Sequence, residues 1–446
     1  MPLIVDSPLV DSAVDPFRFG VRGWLWLDGR QHEIAAIEAW VNDRQIGETS
    51  AFHARPDVVA ALALPPQAKC GFQMTARPAL VGANASFELQ LRVRFTNGSH
   101  SAPLVSTRLR VLPLQASPLA ALHAILTPNA RGLEIGAHAQ PVPELTPFYT
   151  DNVAAFAGVD GRADFLGSAL ALPLPNDTLD YLCSSHVFEH LANPVSALLE
   201  WHRVLRPGGH LYLVVPDKRF TFDEPRRLTP VAHLLDDFLT TPRREHDVGH
   251  INEFIYETDW DRLKPGTNPA EKPIHQAAAH EHYIRELRDG GSLDIHFHTF
   301  TPDSLHALLR VAGFVEGVSP RFDLIARAER YPADRGDGIG FLLRKRGRLS
   351  RGNQDEKTIL LPHAQPNIPP LPLVCPVTLM ALEKVNAPDG RDFISTSNGR
   401  HAYGQKNGLY VLLPEPGDKP IRPWSSRPWR CVRYYAARVR MAWLAN

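Results

Sequence analysis

The sequence predicts an α/β protein: a doubly wound, mostly parallel sheet, preceded by an all-β sandwich and followed by a small β-rich module. Three observations carry this expectation. Residues 1–115 read as short alternating strands separated by turn dipeptides. Residues 118–346 alternate strand-like and helix-like stretches. A proline-rich linker at 347–374 then leads into a short unit at 375–415 and a basic, aromatic tail at 416–446.

The chain has 446 residues, more than one domain usually holds. Its 44% hydrophobic and 22% charged content suits a globular protein with a real core. The formal net charge is zero, so no global field selects nucleic acid or a membrane, and no nucleic-acid partner is expected. Cys70, Cys183, Cys375 and Cys431 form no C-x-x-C pair. That argues against a disulfide framework and fits a reducing, cytoplasmic setting. The opening "MPLIVDSPLVDSAVDPF" lacks the basic start of a signal peptide. No apolar run approaches the ~20 residues of a membrane span.

The elements follow in order. "FELQLRVRF" (87–95) alternates strictly, with Phe87, Leu89, Leu91, Val93 and Phe95 on one face. "GWLWLDG" (23–29), "IEAWVND" (37–43) and "STRLRVLPL" (106–114) read as further strands of a small sandwich. "RGLEIG" (131–136) is a strand entering a glycine turn, "FYTD" ends a second strand at Asp151, and "LDYLCSS" (179–185) is a buried strand. "NPVSALLEWHRVLR" (193–206) predicts an amphipathic helix, with Val195, Leu198, Leu199, His202 and Leu205 near one face, stopped by Pro207–Gly209. "HLYLVVP" (210–216) is the next strand. "TPDSLHALLRVAGF" (301–314) is a helix capped by Thr301 and ended at Gly313. "IGFLLRKR" (339–346) closes the series.

The phosphate fingerprint G-x-G-x-x-G is absent. A single glycine, Gly136, lets backbone come close to a ligand, with Glu134 two residues before it. Asp151 ends a strand, where an acid can accept both hydroxyls of a ribose. Taken in this order, "LEIG", "ALPLPNDTLDYLCSSHVFEHL" and "RVLRPGGHLYLVVPDKRFTFD" resemble the class I methyltransferases that use S-adenosylmethionine, over roughly 118–346. The resemblance implies a Rossmann-like, seven-stranded sheet with ligands outside the carboxyl ends of its strands. It also implies that Glu134 and Gly136 face the amino-acid part of the cofactor and that Asp151 takes the ribose. Ser168 and Ala169 would lie against the adenine, and Ser184, Ser185 and His186 would face the transferring methyl group. Two departures stand out: Ala137-His138-Ala139 replaces a glycine-rich loop, and Ser168 stands where an acid is usual.

"SSHVFEHLANP" (184–194) contains H-x-x-E-H: His186, Glu189 and His190. On a helix beginning near His186 all three would share one side, a spacing that suits a metal. The setting is similar to the E-x-x-E-H metal site of O-methyltransferases acting on ubiquinone precursors and on small-RNA 3′ ends, with a histidine in place of the first acid. Two nitrogens and one oxygen favour zinc, iron or manganese over magnesium. "HDVGHINEF" adds His246, His250 and Glu253, and "DIHFHTF" adds His296 and His298. The expectation is one rim cluster of His186, Glu189, His190, His250, His296 and His298, holding a divalent metal or supplying a base. The alternative is a pair, Glu189 and His190, that caps a helix against the sheet. His186 is the candidate general base. In "PDKRFTFDEPRR" (216–227), Asp217, Lys218, Arg219 and Asp223 read either as a substrate lip or as a salt-bridged loop. This stretch looks like a bacterial methyltransferase subgroup associated with surface polysaccharides.

The first domain resembles sandwich modules attached to glycan-modifying enzymes. Trp24, Trp26, Trp40 and Phe72 read as sandwich core or as sugar-stacking residues, and Arg55 and Asp57 as a structural pair. Residues 375–415 resemble the zinc-ribbon-like activators of methyltransferases, but Thr378, Ser395 and Asn398 replace cysteines, so a metal-free brace is expected. In the tail, Trp429, Val432, Ala436, Val439 and Trp443 form an apolar stripe beside arginines, suited to a membrane surface or to the protein itself. The expected activity is O-methylation of a small-molecule or glycan acceptor. A catalytically silent scaffold and a glycan-binding protein are the alternatives.

Overall fold

The computed structural model describes residues 3–78, 86–113, 116–138, 140–156, 159–240, 244–317, 319–347, 359–365, 367–386, 392–397, 400–406 and 409–414. The tail beyond 414 and most of the basic linker start lie outside these. The chain divides into two compact units, one of 1–125 with 326–338 and one of 126–325 with 339–446.

In the first unit the strands are β1 (Leu3–Ser7), β2 (Ala13–Val14), β3 (Phe19–Leu25), β4 (Ile34–Val41), β5 (Arg44–Thr49), β6 (Phe52–Ala54), β7 (Lys69–Ala76), β8 (Ser86–Phe95) and β9 (Val105–Val111). They form two sheets, β1-β3-β7-β6 and β2-β9-β8-β4-β5. Val21, Leu25, Phe72, Leu89, Leu91, Val93 and Leu109, from both sheets, share one core with no exposure. The alternation in β8 therefore points where its period requires. Short helices α1 (Pro56–Ala61) and α2 (Pro118–Ile125) complete the unit. Phe72 is core, whereas Trp24, Trp26 and Trp40 are half-buried, with Arg92 lying 4.8 Å over the Trp40 ring. Arg55 pairs with both Asp57 and Asp6 at 2.6 Å, so its role is structural.

The second unit begins with β10 (Gly132–Ile135), β11 (Phe148–Asp151), β12 (Ala155–Phe156), β13 (Val159–Asp160), β14 (Phe165–Gly167), β15 (Leu179–Ser185), α3 (Pro194–Val204) and β16 (Leu205–Pro216). Four helices follow: α4 (Val231–Thr240), α5 (Arg244–Glu257), α6 (Trp260–Leu263) and α7 (Lys272–Asp289). Then come α8 (Pro302–Val311), β17 (Phe322–Tyr331), β18 (Gly338–Lys345), β19 (Ile359–Leu361), β20 (Leu371–Leu373), β21 (Leu382–Asn386), β22 (Asp392–Thr396), β23 (Ala402–Tyr403), β24 (Gln405–Lys406) and β25 (Leu409–Leu412).

The main sheet runs β17-β18-β16-β15-β10-β11-β14-β25-β24. Its strands from β16 to β25 pair in parallel. This mostly parallel sheet has nine strands among the described residues, two of them from the C-terminal module: β25 lies parallel to β14, Leu166 opposite Val411. Ile368, Leu371, Cys375, Leu382, Ile394 and Leu412 join the same core as Leu133, Leu182 and Leu213. The module is thus continuous with the sheet. At its head the Cys375 thiol lies 3.2 Å from the Tyr403 hydroxyl, and the Thr378 amide donates to Cys375 Sγ at 3.3 Å. Asn398 lies outside the described residues.

Two sequence expectations need correction. The strand into β16 begins at Leu205, so Pro207–Gly209 sits inside it, with Gly208 at φ +80° and a register shift against β15. In α3 every residue but His202 is buried, because the helix is packed between the sheet and α4 rather than at the surface. Thr301 does cap α8, in a reciprocal pair with Ser304.

Candidate functional site

The parallel registers align the carboxyl ends of β10, β11, β14 and β15 along one edge: Ile135 lies opposite both Thr150 and Ser184, and Asp151 opposite Leu166. The strand order turns back at β10, which is where open α/β sheets hold ligands.

On β10, Glu134 is 1% exposed and accepts the Val142 amide at 2.9 Å. Burial pushes its pKa up from 4.5 to about 7, against that hydrogen bond and the charge of Arg162. The sign follows from linkage. A carboxyl that holds its proton longer when folded gives stability that is full below 4.5 and lost as pH rises through about 7. Urea melts at about pH 5 and about pH 8 are therefore expected to differ by up to about 3 kcal/mol more in the wild type than in Glu134→Gln. Equal pH slopes would remove the buried-acid assignment.

Gly136 ends β10 at φ +68°, its amide donating to the Thr150 carbonyl at 2.9 Å. A Cβ there would meet Val187 Cγ2 at 2.4 Å, so both the turn and the packing call for glycine. In the loop that follows, Ala137 is buried and His138 takes φ +45°; Ala139 lies outside the described residues. Asp151 is half-buried at the end of β11, accepting the Asn152 amide at 2.7 Å. Burial raises its pKa.

The turn after β14 is fixed from beneath by α3. Ser168 Oγ accepts the Leu170 amide at 3.2 Å, and the Ala169 carbonyl accepts Trp201 Nε1 at 3.0 Å. Buried Glu200 accepts the Leu172 amide at 2.8 Å, while Arg203 donates to the Leu174 carbonyl at 2.6 Å. On β15, Ser184 is fully buried and its hydroxyl has no hydrogen-bond partner among the described residues.

His186 follows β15 at φ +55°, its amide donating to the Val214 carbonyl at 3.0 Å. It is not on a helix. The H-x-x-E-H residues converge through this left-handed turn and a 3₁₀ turn at Phe188–His190, with α3 starting only at Pro194. A non-glycine residue held in this region is a mark of local strain, often found at functional sites. Glu189 is 1% exposed. Its Oε1 faces three histidine nitrogens: His186 Nδ1 at 3.8 Å, His190 Nε2 at 3.8 Å and His296 Nε2 at 3.9 Å. Neither carboxylate oxygen has a hydrogen-bond partner among the described residues.

Neighbouring carboxylates aim these rings. Asp223 Oδ2 meets His296 Nδ1 at 2.5 Å and Asp294 Oδ1 meets His190 Nδ1 at 3.2 Å, so both Nε2 atoms turn to Glu189. Burial opposes charge on His190, but Asp294, Glu189 and Asp223 outweigh it and raise its pKa. Burial likewise opposes ionisation of Asp223, yet His296 and Arg226 hold its pKa down. Glu189, His190 and His296 can supply one ligand atom each, within 4.8 Å of one another.

The expected single cluster is therefore two. His250 and His298 lie with His233 and Asp237, residues that the sequence pattern did not single out although "HLLDD" (233–237) carries the i, i+4 spacing. The extended segment 295–299 separates them, because His296 and His298 go to different partners, Asp223 and Asp237. The His246 side chain lies outside the described residues. Asp217 is fully buried and paired with Arg219 at 2.6 Å, so this part of "PDKRFTFDEPRR" is a salt-bridged loop; Asp223 orients His296.

Residues 150–213 match the family model of a methyltransferase domain. A protein of Mycolicibacterium smegmatis described as a "probable S-adenosylmethionine-dependent methyltransferase" is 42% identical over 89 residues, 20% of this chain and 31% of that one. An uncharacterized methyltransferase of Schizosaccharomyces pombe is 46% identical over 46 residues, 10% of this chain and 16% of that one. The chain spans less than a third of the length of the curated relatives it matches. A solved S-adenosylmethionine-dependent methyltransferase of Thermotoga maritima shares 17% identity, covers 52% of this chain and 90% of that chain, and gives a TM-score of 0.28.

Proposed function

We propose that this chain is an S-adenosylmethionine-dependent methyltransferase acting on an oxygen nucleophile of a sugar or glycan precursor. The observation that carries the reading is the ordered edge of β10, β11, β14 and β15, within a stretch whose residues 150–213 match a methyltransferase domain. The residues fit the cofactor's chemistry. Asp151 offers a half-buried carboxylate for ribose hydroxyls, Gly136 offers a surface without a Cβ, and Ser184 offers an unpartnered buried hydroxyl. Glu134 shapes the first turn through Val142, and Ser168 and Ala169 flank the adenine position.

S-adenosylmethionine supplies an electrophilic methyl group on a sulfonium. That group would be offered to an acceptor oxygen placed in line with it, and His186 would take the proton of the acceptor hydroxyl. Glu189, His190 and His296 would hold a divalent cation of the zinc, iron or manganese class, which would offset the charge of the buried carboxylate and supply Lewis-acid chemistry to an acceptor oxygen. Residues 375–414 brace the sheet through β25 without a metal of their own. The apolar stripe of the tail, flanked by arginines, suits peripheral contact with a membrane surface or with the protein itself. A silent scaffold is the second reading, favoured by the Ala137-His138-Ala139 loop in place of glycines.

Incubation of the full-length protein with methyl-labelled S-adenosylmethionine and a panel of nucleotide sugars and glycan fragments tests this. Label in a sugar O-methyl group is the expected result. Transfer only to nitrogen or carbon acceptors would refute the substrate class, and cofactor binding with no transfer to any acceptor would favour the scaffold.

A further inference from the structure

We propose that His233, Asp237, His250 and His298 form a second divalent-metal site, of zinc chemistry, that pins α4 and α5 to the segment 295–299. The site does not depend on the methyltransferase reading. Three separate pieces of chain supply it: His233 and Asp237 stand one turn apart on α4, His250 comes from α5, and His298 from the extended segment. A ligand atom from each lies within 4.8 Å of the others.

The known separations are compatible with tetrahedral ligation. Asp237 Oδ2 lies 3.0 Å from His298 Nε2 and 3.4 Å from His233 Nε2. A tetrahedron with bonds of about 2.0–2.1 Å has edges of about 3.3 Å. The His250 ring stands 5.1 Å from both the His233 and the His298 rings, near edge-on to each. His250 Nδ1 is 3.1 Å from the Phe297 carbonyl. Donation there fixes the tautomer and leaves the Nε2 lone pair for a metal, the outer-shell arrangement usual for ligating histidines.

Burial supplies the second argument. Asp237, His250 and His298 are 8%, 6% and 1% exposed, and His298 Nδ1 has no hydrogen-bond partner among the described residues. Asp237's ion-pair partners among those residues are the two histidines. The nearest buried arginine, Arg226, is committed to Asp223 at 2.8 Å. Three imidazoles thus surround one buried carboxylate. Ligation also has a structural consequence. It would tether the segment that carries His296, the residue before Phe297, to the helical insertion.

The test uses full-length protein, stripped with a chelator, dialysed, and titrated with zinc or cobalt(II), with bound metal counted by mass spectrometry. In a Glu189→Gln background one equivalent is expected to remain, with the visible cobalt band of a tetrahedral site. Adding His233→Ala, at a half-exposed position that spares the core, or His250→Ala is expected to remove it. Retention of that equivalent in folded His233→Ala and His250→Ala variants would overturn the site, as would its complete absence in the Glu189→Gln protein. Equal metal content in wild type and Glu189→Gln, at one equivalent each and lost on adding His233→Ala, would count against the Glu189 site and leave this one standing.

Discussion

Replacing His186 with alanine is expected to cut kcat by about 100-fold to 10,000-fold while leaving S-adenosylmethionine affinity within a few-fold. The basis is position. His186 leaves β15 beside Ser184, at the edge where the four parallel strands end, and its ring stands 3.8 Å from Glu189. Its φ of +55° complicates the choice of variant, since alanine resists the left-handed region. His186→Asn tolerates that backbone better and is the companion variant. Both should lose the acid limb of the pH profile of kcat/KM, and added imidazole should restore part of the rate to His186→Ala. A merely structural His186 would give loss of cofactor binding or of folding with neither of those signatures. Unchanged turnover in both variants would return H-x-x-E-H to a packing role.

Glu189→Gln is expected to abolish turnover by at least about 100-fold and to remove one equivalent of bound divalent metal. The two stability comparisons should have opposite signs. Glu189 is 1% exposed, and both its oxygens lack hydrogen-bond partners among the described residues. A buried carboxylate that accepts no hydrogen bond is costly, so with chelator present the neutral glutamine variant should melt higher than the wild type. With zinc or manganese present the wild type should melt higher, because metal binds its folded state. A variant that keeps full metal content and activity would contradict ligation by Glu189. Equal melting temperatures under both conditions would contradict a buried carboxylate left without hydrogen bonds.

Much of the fold is legible because periodicity reports burial. The alternation in Phe87–Phe95 and the apolar run Leu179–Ser185 lie within a residue of their strands. The helical insertion is not legible by the same signal. Helix α7 has no fully buried residue, and its sequence "KPIHQAAAHEHYIRELRD" has no continuous apolar stripe. Its end at Gly290, in the left-handed region, is the local cue that was available. Nor does spacing reveal that Leu409–Leu412 extends the sheet beside β14, since that pairing spans more than 240 residues of sequence.

The candidate site divides the same way. Glu134, Gly136, Asp151 and Ser184 were accessible because each sits at a strand end or in a turn that the sequence marks. The histidines were visible as residue types, but their partition was not. His296 and His298 are two apart in an extended segment, yet one is drawn to Asp223 and the other to Asp237. Only the folded position of α4 brings Asp237 and His233 to the second group.

Calorimetric titration of S-adenosylmethionine, and of its demethylated product, into the metal-loaded full-length protein tests the central claim most directly. Micromolar binding is expected, weakened about 10-fold to 100-fold by Asp151→Ala, which removes charge-assisted hydrogen bonds to the ribose. No binding by a folded, metal-loaded protein would contradict the methyltransferase function.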